Sequence, residues 1–184
     1  WNGKFRDCAR KFLKGEPGIT SELALRLAGS PDLYLSSESH LGINFITCHD
    51  GFTLNDLVSF DTKHNEANLN DNTDGADDND SWNHGVEGWS DNAEINALRN
   101  RQMKNAFTIL IMSVGVPMIN MGDEIARTQM GNNNTYCQDS TLSWMNWNNM
   151  DKHADLYRYV CILNKFRKTT PSLDQAIPHK LDRS

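Results

Sequence analysis

The sequence predicts an α/β fold in which short parallel strands alternate with helices. Two apolar segments, residues 43–48 and 116–121, have the length and composition of buried strands, and a helical pattern lies between them. Each segment ends abruptly in a long polar loop that carries acidic residues. Buried strands separated by helices pair in parallel through right-handed crossovers, which brings both loops to the same edge of the sheet. This arrangement is typical of parallel α/β architectures, and above all of the eight-stranded barrel.

Two helices are predicted before the first strand. Helical spacing relates five apolar residues, which are Phe5, Cys8, Ala9, Phe12 and Leu13. Gly15 can close this helix in a left-handed conformation. A second, shorter helix is predicted to begin at Thr20 or Ser21 and to stop at Gly29, before Pro31.

Two further helices are predicted after the first strand. Residues 91–94 resemble a capping box, and the long helix that follows is apolar on every side in its second half, which predicts burial. Gly115 is the expected C′ residue of this helix. The last helix has an apolar stripe made of Leu156, Tyr159, Val160, Leu163 and Phe166. It is predicted to end before Pro171, with Arg167 and Lys168 facing solvent.

The two long loops are rich in asparagine, which clusters in residues 65–83 and 132–149. Two interpretations remain open: ordered loops with many turns, or amide groups that face a hydroxyl-rich ligand. Residues 51–90 lack periodicity over about 40 residues, which indicates either a functional loop or disorder. Trp82 and Trp89 favour an ordered loop with a small core of its own.

Composition restricts the classes of partner. The chain has 184 residues and a formal net charge of −6, which argues against nucleic acid and anionic membranes as partners. The four cysteines show no metal-ligand spacing and are interpreted as free thiols in a reducing compartment. No apolar run has the length of a membrane helix, and the first residues do not form a signal peptide. Since the chain does not begin with Met, we expect it to be a piece of a longer one.

His49 and Asp50 stand side by side where the first apolar segment ends. An aspartate at this edge of a parallel sheet commonly caps a helix or pairs with an arginine. The two residues would also fit a metal site, although no third ligand shares a helix face with them. They would equally fit a glycosidic site, where carboxylates stabilise an oxocarbenium-like state and neutral donors hold sugar hydroxyls. The residue pattern alone leaves these three interpretations open.

The order of several longer motifs is more specific. The string FITCHDGFTLNDLVSF is followed by KHNEAN, SWNHGVEG, GVPMINMGDE and RTQMGNNNTYCQD. Together they closely resemble the isoamylase and glycogen-debranching branch of the α-amylase superfamily. WNGKFRDCARKFLKG and GSPDLY resemble the same enzymes, so the resemblance covers the chain from Trp1 to about Trp147.

The resemblance implies a fold and a function. The chain corresponds to the C-terminal segment of a (β/α)8 TIM barrel, strands seven and eight with their helices and long loops, over residues 1–170, with an irregular tail over 171–184. The parent protein would hydrolyse α-1,6 branch points of glycogen, amylopectin or limit dextrin with retention, without cofactor or metal, in the cytoplasm or the plastid stroma. Its nucleophile and general acid would lie outside this chain, which is therefore expected to be inactive alone and to self-associate through unpaired strand edges. A non-catalytic α-glucan-binding piece and a metal-dependent barrel hydrolase remain as alternatives.

The resemblance also implies roles for single residues. Asp50 corresponds to the third catalytic carboxylate, which stabilises the transition state, and His49 to a histidine that hydrogen-bonds the same sugar. Four residues of the second loop are expected to line the substrate cleft: Asn132, Asn133, Asn134 and Tyr136. Asp123 and Glu124 are expected beneath the site. Four tryptophans are expected either to stack on sugars or, as we prefer, to pack within the loops: Trp82, Trp89, Trp144 and Trp147.

Overall fold

The computed structural model describes residues 1–34 and 42–174. It contains eight α-helices in these residues: α1 (Gly3–Lys14), α2 (Thr20–Leu27), α3 (Pro31–Tyr34), α4 (Leu54–Leu57), α5 (Ala93–Met112), α6 (Asn149–Lys152), α7 (Ala154–Lys168) and α8 (Pro171–Asp174). Two strands are β1 (Ile43–Asn44) and β2 (Val116–Pro117). Three 3-10 turns follow the strands in the loops: Glu66–Asn68, Asp123–Ile125 and Thr135–Cys137. None of the helices in the described ranges combines the length and the hydropathy of a membrane-spanning segment.

The two strands pair in parallel, as predicted, with Ile43 opposite Val116. They are much shorter than the predicted 43–48 and 116–121. The ladder runs from the N–H of Val116, which donates to Gly42 O at 3.0 Å, to the N–H of Met118, which donates to Asn44 O at 2.8 Å. The prediction that the second segment is buried is also wrong. Val116 is 45% and Met121 57% exposed.

The hydrophobic core lies where α5 packs against α1 and α7. It includes Phe5, Ile46, Phe52, Phe107, Ile111, Leu156 and Val160. The helix boundaries follow from local chemistry: Asn92 caps α5 by accepting from the N–H groups of Glu94 and Ile95, and Gly15 closes α1 at φ 84°. Burial of each large apolar side chain stabilises the folded state by roughly 1.5–3 kcal/mol relative to leaving it exposed. This packing supports the edge of the sheet at which both strands end.

The end of α5 differs from the prediction. Gly115 is not its C′ residue, because α5 ends at Met112 and Ser113 is already extended. Gly115 has φ +124°, and a Cβ there would lie 2.8 Å from Asn44 Nδ2 and 2.9 Å from Gly42 O. The glycine therefore serves the close approach of the two strand segments rather than the helix end.

Arg167 was predicted to face solvent and is instead buried. Its guanidinium donates to the carbonyl oxygens of Ile111 at 2.6 Å and Ser113 at 2.7 Å, which lie at the C-terminal end of α5. The last carbonyls of a helix lack intrahelical donors, so a cation there is favourable. Phe166, predicted in the apolar stripe, is 49% exposed instead. The predicted irregular tail begins with the short helix α8, and residues 175–184 lie outside the described ranges.

Candidate active site at the strand ends

His49 and Asp50 form an exposed turn, which four residues separate from the end of β1 at Asn44. Their side chains are 71% and 80% exposed, and His49 Nε2 lies 3.3 Å from Asp50 Oδ2. The ring of Trp1 contacts the His49 ring edge-on, with centroids 5.7 Å apart. Asp50 is not a helix cap, since Thr53 caps α4 by accepting from the N–H of Asp56 at 3.1 Å. The turn thus presents an acceptor and an imidazole to the outside.

Asp123 is buried and bonds residues on both sides of this turn. Its Oδ1 accepts from the N–H of Leu54 at 2.9 Å, and the Thr47 hydroxyl donates to its Oδ2, so one carboxylate holds both ends of the turn. Burial raises the pKa of Asp123 to about 7 against the opposing effect of these hydrogen bonds, and the nearby Glu124 raises it further. Glu124 itself accepts from the N–H of Gly122 at 3.1 Å.

A second buried carboxylate, Asp56, was not identified from the sequence. It accepts from the N–H of Gln129 at 2.7 Å and from the hydroxyl of Thr128, both in the loop that follows β2. Burial raises its pKa to about 6, although these hydrogen bonds act in the opposite direction. The signal was available, since the acid at position 56 lies among the apolar residues 52, 54, 57 and 58.

The predicted substrate contacts of Asn132 and Asn133 are corrected by their burial, with 1% and 2% exposed. Asn133 Oδ1 accepts from Asn65 Nδ2 at 2.8 Å, and its Nδ2 donates to Ala76 O at 2.8 Å. Asn132 Nδ2 donates to Asn68 Oδ1 at 2.9 Å. Because these amides bond other loop residues, they support the site from behind. The asparagine clusters therefore serve loop order here.

Asn134 and Tyr136 differ from their neighbours in position. Tyr136 is 84% exposed. The amide of Asn134 is half-buried and donates to Asp74 Oδ2 at 2.7 Å. Tyr136 can reach a ligand as it stands, whereas Asn134 is occupied by Asp74, so contact with substrate stays a prediction for both.

The loop over residues 51–90 is ordered by polar hubs. Glu87 accepts from the N–H groups of Asp61 and Thr62, from Asn83 Nδ2 and from His64 Nε2, at 2.8–3.1 Å. Burial raises the pKa of Glu87, but the hydrogen bonds outweigh it and hold that pKa at about 2. The neighbouring Lys63 and His64 pair with Asp77 and with Glu87, respectively.

The preferred interpretation of the tryptophans, packing within the loops, is wrong. Their exposed fractions are 42% for Trp82, 76% for Trp89, 56% for Trp144 and 67% for Trp147. Trp82 stacks on the His84 ring with centroids 4.3 Å apart. Apolar residues 52, 54, 57 and 58 are buried without them and belong to the main hydrophobic core, rather than to the predicted small core of the loop itself.

Arg127 is buried and donates to Ser143 O at 2.8 Å. Within residues 1–34 and 42–174, no group of three His, Cys, Asp or Glu side chains is placed to hold a metal ion. Cys8 and Cys48 are buried, whereas Cys137 and Cys161 are exposed, and all four are free thiols.

Relatives of known name share this sequence closely, although no family model matches it. The chain is 55% identical over 170 residues to the glycogen operon protein GlgX homolog of Mycobacterium tuberculosis, covering 91% of this chain and 24% of that protein. It is 48% identical over 175 residues to the chloroplastic isoamylase 1 of Arabidopsis thaliana, covering 94% of this chain and 22% of that protein. The chain thus spans about a quarter of the length of these relatives.

Solved structures share the fold. The pullulanase of Anoxybacillus sp. LM18-11 complexed with maltotriose superposes with a TM-score of 0.67 at 21% identity, over 95% of this chain and 22% of that one. The pullulanase of Paenibacillus barengoltzii in complex with maltohexaose and alpha-cyclodextrin superposes with a TM-score of 0.66 at 21% identity. The superposition covers 94% of this chain and 24% of that one. Along nine-tenths of its length, therefore, the chain is related to the isoamylase and glycogen-debranching branch of the α-amylase superfamily.

Proposed function

We propose that this chain provides strands seven and eight of a (β/α)8 barrel and, with them, one part of a debranching active site. In this proposal Asp50 is the carboxylate that stabilises the transition state, and His49 binds the same sugar. The observation that carries it is the exposed pair itself, with His49 Nε2 3.3 Å from Asp50 Oδ2 in the segment that follows the parallel strand β1. Parallel barrels place their chemistry at this end of the strands.

The two side chains suit a hydrolysis of α-1,6-glucosidic bonds with retention. A carboxylate accepts hydrogen bonds from sugar hydroxyls, and these bonds strengthen as positive charge develops on the ring. A neutral imidazole donates to an adjacent hydroxyl from one nitrogen. Retention also requires a nucleophile and an acid about 5–5.5 Å apart, which we assign to polypeptide outside this chain. The chain alone is then inactive.

The proposed substrates are glycogen, amylopectin or limit dextrin. This proposal is supported by relatives named for glycogen debranching, such as the enzyme of Erwinia tasmaniensis at 43% identity, and by fold neighbours solved with maltooligosaccharides. The chloroplastic isoamylases support the cytoplasm or the plastid stroma as the location.

Substitution of Asp50 in the full-length protein tests the proposal. Asp50→Asn is expected to lower kcat on amylopectin by about 100- to 1,000-fold or more, since it removes a charge that acts in the transition state. The matched control is Asp155→Asn, which changes an exposed acid on α7 that pairs with Lys104. Full turnover by Asp50→Asn, measured by release of reducing ends, would refute the proposed role.

The exposed tryptophans favour a second candidate, in which the chain binds α-glucan without catalysis. Exposed indoles offer flat apolar faces to sugar rings. Residues 1–184 alone are then expected to bind maltohexaose by calorimetry without releasing any product. Loss of binding in Trp89→Ala or Trp147→Ala would support this candidate, and no binding by the unmodified chain would reject it.

A further inference from the structure

The exposed Asp50 side chain has little to fix its direction. It is 80% exposed, and its neighbour His49 is similarly exposed, at 71%. The direction in which Asp50 points is therefore set by the backbone of the turn that carries it. A carboxylate that acts in a transition state must be held within a fraction of an ångström, so the supports of this backbone matter for function.

The first support is direct. Asp123 accepts from Thr47 before the turn and from the N–H of Leu54 after it. Between these points the N–H of Gly51 donates to Asn133 O at 2.9 Å. The turn is thus held at both ends by a carboxylate and in the middle by the second loop.

The second support is indirect and runs through Asp56. Asp56 accepts from the N–H of Gln129, and Gln129 O accepts in turn from the N–H of Asn132 at 2.9 Å. Gln129 Nε2 also donates to Asn132 O at 2.9 Å. Asn133, the next residue, holds Gly51. Asp56 therefore fixes the part of the second loop that positions the residue adjacent to Asp50.

Each of the two carboxylates belongs to one loop and accepts hydrogen bonds from the other. Asp56 belongs to the loop after β1 and binds the loop after β2, whereas Asp123 belongs to the loop after β2 and binds the loop after β1. Both are essentially fully buried, with 0% and 2% exposed. We call this reciprocal pair the carboxylate clamp. Because each carboxylate accepts from two or more donors of the other loop, neither loop can shift alone without leaving buried donors unpaired.

We propose that Asp56 is a positioning residue for Asp50, acting through Gln129, Asn133 and Gly51, and that the clamp thereby sets the rate of the glycosidic step. This inference rests on the proposed function of Asp50. It assigns to Asp56 no contact with substrate. A residue of this kind is expected to affect the transition state more than ground-state binding.

The variant Asp56→Asn in the full-length protein tests the inference. An amide of the same shape cannot accept from both Thr128 and Gln129, because one of its two polar atoms is a donor. We expect kcat on amylopectin to fall about 10- to 100-fold, because a small misplacement of a group that acts in the transition state can cost up to about 100-fold, with KM changed less than about threefold. Hydrogen exchange of the peptide covering residues 45–60 is expected to become faster, while that of α5 stays unchanged. Asp155→Asn is the control and is expected to change neither.

Two further outcomes separate the inference from its alternatives. In an Asp50→Asn background, Asp56→Asn is expected to cost little residual activity, since a positioning residue has nothing left to position. A further loss equal to that in the unmodified protein overturns the inference, as does a kcat equal to that of Asp155→Asn. If Asp50→Asn is itself fully active, the proposed function fails. If Asp50→Asn is inactive and Asp56→Asn behaves like the control, only the inference fails.

Discussion

The N–H of Gly51 donates to the carbonyl oxygen of Asn133 at 2.9 Å, which joins the residue after Asp50 to the middle of the asparagine-rich second loop. The two residues are about 80 positions apart in the chain. The second loop, whose composition is typical of turns, therefore contacts the turn that carries the candidate catalytic residue. Through this hydrogen bond, the stability of the second loop is coupled to that of the turn.

The amide of Asn133 is the first target for a stability test. Asn133→Ala is expected to lower the free energy of unfolding by about 2–4 kcal/mol, because Asn65 and Asn79 are left buried with unpaired polar atoms. Denaturation in urea measures the loss. The exposed Asn105→Ala is the control and is expected to change stability by less than about 1 kcal/mol. Equal effects for the two variants would contradict the buried network.

The buried carboxyl of Asp123 predicts a pH dependence of stability. Since burial raises its folded-state pKa to about 7, the folded protein holds a proton there at pH values at which the unfolded chain has lost it. The contribution of this group to stability therefore falls as pH rises from about 4 to 7. Asp123→Asn is expected to flatten that part of the profile of unfolding free energy against pH. Parallel profiles for the two proteins would show that Asp123 is not responsible.

Glu87 predicts the opposite dependence in acid. Its folded-state pKa of about 2 is depressed, so its contribution to stability is complete above its unfolded value and is lost as pH falls towards 2. Glu87→Gln is expected to make the loop over residues 51–90 susceptible to limited proteolysis at neutral pH. In the unmodified protein, the same loop is expected to become susceptible only in acid. A loop that resists cleavage equally in both proteins would argue against Glu87 as its hub.

Arg167 predicts a large effect from a residue far from the site. Arg167→Met is expected to lower the free energy of unfolding by about 2–4 kcal/mol, because the carbonyl oxygens of Ile111 and Ser113 lose a buried charged donor. The neighbouring Lys168→Met, on the exposed face of α7, is the matched control. Thermal unfolding of both variants decides the matter, and a similar midpoint for the two would refute the role of Arg167.

Self-association of residues 1–184 alone stays a prediction. Val116 is 45% exposed on a strand that pairs, among the described residues, only with β1. Exposed apolar strand edges promote association. Light scattering is expected to detect oligomers that Val116→Lys reduces and that Ile162→Lys, at an exposed position of α7, does not. A monomer at all concentrations would contradict this.

The sequence predicted the features that depend on neighbours along the chain. The bounds of α1, α2 and α5 follow from helical spacing and from local caps such as Asn92 and Gly15, and they are confirmed to within two residues. The parallel pairing of the strands is confirmed as well. These signals lie within one turn or one segment, so a single sequence contains them in full.

The sequence did not predict features whose partners are distant. Asn133 and Arg167 belong to types that are usually exposed, and only the tertiary contacts with Asn65 and with the end of α5 explain their burial. The predicted strand lengths were wrong for the same reason, since the length of a strand depends on its partner strand. The candidate role of Asp50 comes from the resemblance to a family. The contacts of Asp56 and Gly51, by contrast, join distant parts of the chain and are visible only in the structure.

The parallel contact of β1 and β2 also has a consequence for how the chain acquires its shape. Ile43 meets Val116 only after more than 70 intervening residues have been brought into place, and such distant contacts are made late and slowly. Helix α5 can form early, because its own sequence specifies it. The turn that carries Asp50 is then expected to be among the last parts to form, because its supports come from both loops.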